Sequence, residues 1–117
     1  QPNIQPINQP NIQPYVQVIL SGIPGDVWAI PVNQLMKIGR SSEQCHIVLD
    51  EPQISRVHCT IQYDARNQIF QLSDVSSNGT YFVNVRLERN RIYSLKNNEV
   101  FHLLSNQIVM KVWTEYV

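Results

Sequence analysis

The chain has 117 residues, the length of a single domain. Hydrophobic residues make up 43% and charged residues 15%, enough for a core beneath a sparsely charged surface. Nine Lys and Arg balance nine Asp and Glu, which argues against nucleic-acid binding by bulk charge, and no apolar run approaches the roughly 18–20 residues of a membrane span.

In chain order, residues 1–14 read QPNIQPINQPNIQP, with Pro at 2, 6, 10 and 14 and no charged residue. Proline at every fourth position forbids a helix and strips donors from a sheet ladder. We therefore expect a disordered or extended, polyproline-like tail over 1–14 that links a domain over 15–117 to the rest of a longer, multidomain chain. The lack of an initiator Met and of a signal-peptide pattern leads to the same expectation of a piece of a longer protein.

From Tyr15 onward the pattern is β. Tyr15–Leu20 alternates, with Val16, Val18 and Leu20 on one face. Ser21-Gly22-Ile23-Pro24-Gly25 is read as a break, followed by short strands at Val27–Ile30, Leu35–Ile38 and Ile47–Leu49. Cys59–Tyr63 and Ile69–Leu72 form a pair joined by the turn-like Asp64-Ala65-Arg66-Asn67. Thr80–Val83 and Ile92–Leu95 follow, then a tight turn at Lys96-Asn97-Asn98, and Val100–Leu104 and Ile108–Trp113 close the domain. No stretch shows helical periodicity. Many short strands separated by frequent turns predict an all-β sandwich.

The unusual polar residues fall between strands, at 39–46, 51–58 and 73–79. Loops gather at the ends of a sandwich, where a rigid scaffold can present them together. Gly39-Arg40 ends a strand on a guanidinium, whose planar fork of donors suits a phosphate. Ser55-Arg56-Val57-His58 sets a hydroxyl and a second guanidinium side by side. Ser77-Asn78-Gly79-Thr80 adds an amide that both donates and accepts. A phosphate dianion carries about −1.5 to −2 charges and three strong acceptor oxygens, so these are the donors it needs.

Together these segments resemble the forkhead-associated (FHA) domain family: Gly39-Arg40, then Ser55-x-x-His58, then Ser77-Asn78-Gly79-Thr80, with the short strand His46-Ile47-Val48-Leu49-Asp50 between them. The family usually begins that strand with Asp where this chain has His46. The resemblance runs from about Val16 to Trp113. It implies an FHA-like β-sandwich of about eleven mostly antiparallel strands that binds phosphothreonine-containing proteins or peptides through loops at one end. By that resemblance Arg40 and Ser55 hold the phosphate, Arg56 adds a phosphate or peptide contact, Ser77 supports the phosphate, and Asn78 bonds the peptide main chain. Gly39 and Gly79 shape the backbone and His58 braces the loops. The family usually continues Asn-Gly-Thr-x-x-Asn-Gly, whereas this chain has Asn78-Gly79-Thr80-Tyr81-Phe82-Val83-Asn84-Val85, one residue longer and without the last Gly. Such an insertion reverses side-chain facing unless a bulge absorbs it.

Two catalytic or metal readings compete with this one. Ser55, His58 and Asp74 are the residue types of a hydrolase, but no Gly-x-Ser-x-Gly elbow surrounds Ser55. Cys45-His46 and His58-Cys59 hold metal-ligand types, but neighbours on a strand face opposite ways and no Cys-x-x-Cys is present. We therefore expect no enzyme activity, no metal and no cofactor. Two cysteines do not make a disulfide scaffold and suit a reducing, cytoplasmic compartment. The expected function is recruitment of a partner phosphorylated by a Ser/Thr kinase. The alternative is a phospho-independent assembly domain that uses a sheet face.

Overall fold

The computed structural model describes residues 11–104 and 108–117. The expected tail lies outside them except for its last four residues. Eleven strands are present: β1 (Ile12–Leu20), β2 (Ile23–Ala29), β3 (Met36–Gly39), β4 (Ile47–Val48), β5 (Cys59–Asp64), β6 (Ile69–Asp74), β7 (Thr80–Phe82), β8 (Val85–Arg86), β9 (Ile92–Leu95), β10 (Val100–Leu103) and β11 (Ile108–Tyr116). There is no helix among the described residues.

The strands form two sheets, ordered β2-β1-β11-β10-β7-β8 and β4-β3-β5-β6-β9. All pairings are antiparallel except that of β3 with β4. Alternate residues point between the sheets, as a sandwich requires. Val16 and Val18 of β1, Ile61 and Tyr63 of β5, Phe70 and Leu72 of β6, Phe101 and Leu103 of β10, and Met110 and Val112 of β11 fill the core. Each such side chain contributes about 1.5–3 kcal/mol through its burial.

Three details differ from the sequence reading. First, β1 begins at Ile12 rather than at Tyr15, so its first three residues pair with β11 from Tyr116 to Thr114. Pro14 does not interrupt this ladder. Its carbonyl accepts from Ile30 N at 3.0 Å, and a strand residue's N–H points the same way as its C=O. The missing donor therefore faces past the end of β2, not toward β11.

Second, only Ser21 and Gly22 form the first turn. Both have positive φ (49° and 80°), and Leu20 pairs with Ile23 across them, as in a two-residue hairpin. Pro24 then lies in β2, which is an edge strand where a missing donor is tolerated. Third, the inserted residue is absorbed by a turn. Val83 and Asn84 both have positive φ (52° and 61°), and Phe82 pairs with Val85 across them. Asn84 is thus a hairpin-turn residue.

The register gives the sandwich two poles. The C-terminal ends of β3 and β6 and the N-terminal ends of β5 and β7 meet at one, since Ile38 pairs with Cys59 and Cys59 with Asp74. Gly79 lies at the same pole, its carbonyl accepting from Leu104 N at 3.0 Å. At the other pole Val117 N donates to Asn11 O at 2.9 Å.

Candidate functional site

The first polar loop leaves β3 at Gly39, which is buried against the loop that precedes β5. A Cβ on Gly39 would overlap the Arg56 carbonyl oxygen and stand 2.8 Å from its carbon and 2.9 Å from Cys45 Sγ. The glycine is required by this close approach of two backbones, not by an unusual φ. The approach lets the loops stitch together: Arg40 N donates to Ser55 O at 3.0 Å and Ser41 N to Arg56 O at 3.1 Å. Arg40 Nε donates to Ile54 O at 3.0 Å. This fixes the guanidinium plane and leaves both Nη groups for a ligand.

The second and third loops are joined through side chains. Ser77 N donates to Ser55 Oγ at 3.1 Å, so the Ser55 hydroxyl proton is left to donate elsewhere. Asn78 Nδ2 donates to Gln53 O at 2.8 Å, which leaves its Oδ1 as an acceptor at the exposed tip of the loop. Beneath them, buried His58 spans both loops. Its Nδ1 accepts from Ser55 N at 3.2 Å and its Nε2 lies 2.8 Å from Gly79 O. That pairing requires the neutral tautomer with the proton on Nε2. Burial lowers the His58 pKa from the ordinary imidazole value, against the opposing pull of the Gly79 carbonyl and the Asp74 charge.

The sequence reading missed the group that shapes the third loop. Asp74 is fully buried, and its Oδ1 accepts from Ser76 N at 3.1 Å, Ser76 Oγ at 2.6 Å and Thr80 Oγ1 at 2.7 Å. Ser76 Oγ in turn accepts from Gly79 N at 2.7 Å. This bridge folds residues 74–80 back on themselves so that Ser77 and Asn78 stand at the tip. The signal was legible as an Asx turn, because Asp commonly bonds the backbone two residues on. Gly79 closes the loop with φ +105°.

The eight expected site residues are therefore brought together at one pole. Arg40, Arg56, Ser77 and Asn78 are exposed, Ser55 is half-buried, and Gly39, His58 and Gly79 lie beneath. Arg40 and Arg56 line an open polar cleft of about 700 Å³ with Ser41, Ser42, Glu43 and Gln44. Neither Arg makes an ion pair among the described residues. Arg56 is exposed beside the cleft, and its carbonyl serves the loop junction, accepting from Ser41 N and from Cys45 Sγ at 2.9 Å. Such a cleft suits an anion with several acceptor oxygens.

No nucleophilic triad is assembled. The imidazole of His58 bonds Ser55 through the backbone N–H rather than Oγ, and the Asp74 carboxylate bonds Ser76 and Thr80. Cys45 Sγ and His46 Nδ1 are likewise occupied, the latter accepting from Lys37 N at 3.0 Å.

A β-sandwich of two mostly antiparallel sheets, with Gly-Arg, Ser-x-x-His and Ser-Asn-Gly loops gathered at one pole, has the architecture of an FHA domain. The family model described as FHA domain matches residues 36–104, and the chain belongs to that family. Over 80 residues it is 39% identical to the meiosis-specific serine/threonine-protein kinase MEK1 of Saccharomyces cerevisiae, covering 63% of this chain and 16% of the kinase. The chain thus spans about a sixth of that relative's length.

Three solved structures extend the likeness. The MEK1 FHA domain superposes with a TM-score of 0.75 at 29% identity, covering 87% of this chain and 89% of that one. The same domain in complex with a phosphothreonine peptide of HOP1 gives 0.68 at 29% identity, covering 84% and 94%. The N-terminal FHA domain of S. cerevisiae Rad53p, solved with a phosphothreonine peptide, gives 0.69 at 16% identity, covering 86% and 93%, and shares the fold.

Proposed function

We propose that this chain is a phosphothreonine-peptide-binding module that recruits a protein phosphorylated by a Ser/Thr kinase and carries out no chemistry itself. The observation that carries this reading is the free donor set of Arg40 and Ser55 at one rim of the pole. Arg40 is anchored through Nε and keeps both Nη groups, and Ser55 Oγ is anchored as an acceptor and keeps its proton to donate. Pre-anchored donors lose little entropy on binding, and charge-assisted bonds to a dianion are the stronger kind. Arg56 adds charge to the same cleft and Asn78 Oδ1 meets the ligand main chain. The relatives solved with phosphothreonine peptides support the ligand class. The unpaired thiols Cys45 and Cys59 suit a reducing compartment.

The test is binding to a degenerate phosphothreonine library, with unphosphorylated and phosphoserine controls. Wild type should prefer the phosphothreonine pool, and Arg40→Ala should weaken that binding about a hundredfold or more. Binding that ignores the phosphate and survives Arg40→Ala would point instead to assembly through a sheet face. One observation favours that second reading. Thr60, Gln62, Gln71 and Ser73, flanked by Leu35 and Ile92, line an uncharged groove of about 240 Å³ on the outer face of the five-stranded sheet.

A further inference from the structure

The loop between β6 and β7 has two flanks. On one, Ser77 N and Asn78 Nδ2 reach toward Ser55 and Gln53. On the other, Arg86 Nη2 donates to Ser77 O at 3.0 Å and Arg89 Nη2 to Val75 O at 3.2 Å. The first flank positions the donors that face the phosphate, and the second has no task in that site.

Arg86 sits close against the tip. Its Nε is 3.0 Å from where a Cβ on Gly79 would stand, and its cross-strand partner Tyr81 covers the same glycine. Any side chain at position 79 would displace the guanidinium. The bond to Ser77 O uses one of five donors. Among the described residues no carboxylate pairs with Arg86, the ion pair there being Arg91 with Glu88. A fixed, exposed and charge-uncompensated fork thus lies across the loop tip from the Ser55 hydroxyl. A peptide main chain bonded to Asn78 Oδ1 would cross that tip and bring its neighbouring side chains toward Arg86.

We infer that Arg86 is a second anion subsite, which selects an acidic or phosphorylated side chain flanking the phosphothreonine. The inference rests on the phosphothreonine reading of the site. Carboxylate and phosphate both match the guanidinium fork, so the ligand chemistry is a second anionic side chain. Arg89 stands further from the tip and serves as an internal control of equal charge.

The experiment uses one phosphothreonine peptide with neutral flanks. Asp, Glu, phosphoserine or Lys is placed singly at each position within about four residues of the phosphothreonine, and affinity is measured by titration. In wild type, an acid at one or two adjacent positions on one flank should tighten binding about three- to tenfold. Arg86→Gln should remove that gain while binding stays dependent on the phosphothreonine phosphate. Arg86→Glu should convert the preference to Lys at the same position, a gain that a misfolded domain could not show. Arg89→Gln should leave the preference intact. A gain from Asp and Glu assigns an acidic residue, and a gain confined to phosphoserine assigns a second phosphorylated residue. Phosphate-dependent binding without a position-specific acid gain overturns this inference alone, as does an equal effect of Arg86→Gln and Arg89→Gln. Binding indifferent to the phosphothreonine phosphate overturns the site reading, and this inference with it.

Discussion

Gly39 lets two backbones meet where any other residue would hold them apart. Because the obstacle is the Arg56 carbonyl rather than a flexible side chain, Gly39→Ala must separate the loops. It should lower stability by about 2 kcal/mol or more and weaken phosphopeptide binding as well. Urea unfolding and titration measure the two effects, and a loss of binding at unchanged stability would contradict this account. His58 gives a pH signature. Burial lowers its pKa, so the unfolded chain takes up this proton at a higher pH than the folded one. The stability it contributes is complete above about pH 6.5, falls as pH drops below that, and levels off beneath the folded value. The melting temperature of wild type minus that of His58→Gln should therefore shrink from about pH 7.5 to about pH 5. A constant difference would mean that His58 titrates alike in both states. At this scale the exposed donors were legible in the sequence, because residue type announces what Arg40 and Asn78 can bond. Ser76 and Arg86 were not. Ser76 depends on its burial between Asp74 and Gly79, and Arg86 on a loop carbonyl that strand pairing brings beside it.

Among the elements, the hairpin of β7 and β8 carries an avoidable strain. Both turn residues have positive φ, and Val83 is β-branched, which makes it poorly suited to that region. Val83→Asn should stabilise the domain by about 1 kcal/mol, raising the melting temperature by several degrees without altering affinity. A fall in melting temperature would show that exposed Val83 makes contacts worth more than the strain. The same hairpin shows where sequence reading stops. A count of residues reveals one extra between Thr80 and Asn84, but only the paired strands show that a turn absorbs it. Strand β9, Ile92–Leu95, was legible to the residue because its flanks are turn formers. Strand β1 was not, because the rule against Pro in a ladder concerns its N–H, and the side to which Pro14 turns that position is set by tertiary pairing.

Across the whole molecule, residues 12–14 belong to the sandwich rather than to the tail. Pro14 is buried, and Gln13 Nε2 donates to Ile30 O at 2.8 Å. A chain beginning at Tyr15 should be about 2–3 kcal/mol less stable than one beginning at Asn11, from the loss of these bonds and of apolar burial. Equal urea midpoints for the two would return the boundary to Tyr15. The fold class was legible from the spacing of short strands, whereas the order of strands in each sheet was not, since pairings such as β1 with β11 join residues far apart in the chain.

The meeting of Asn11 and Val117 at the pole away from the polar loops also limits self-engagement. Nine residues of β1 separate the poles, about 30 Å at strand rise. A phosphothreonine elsewhere on the same polypeptide needs at least about ten extended residues of tether to reach home. One placed closer to either end serves only a second molecule, and chains so marked would link head to tail.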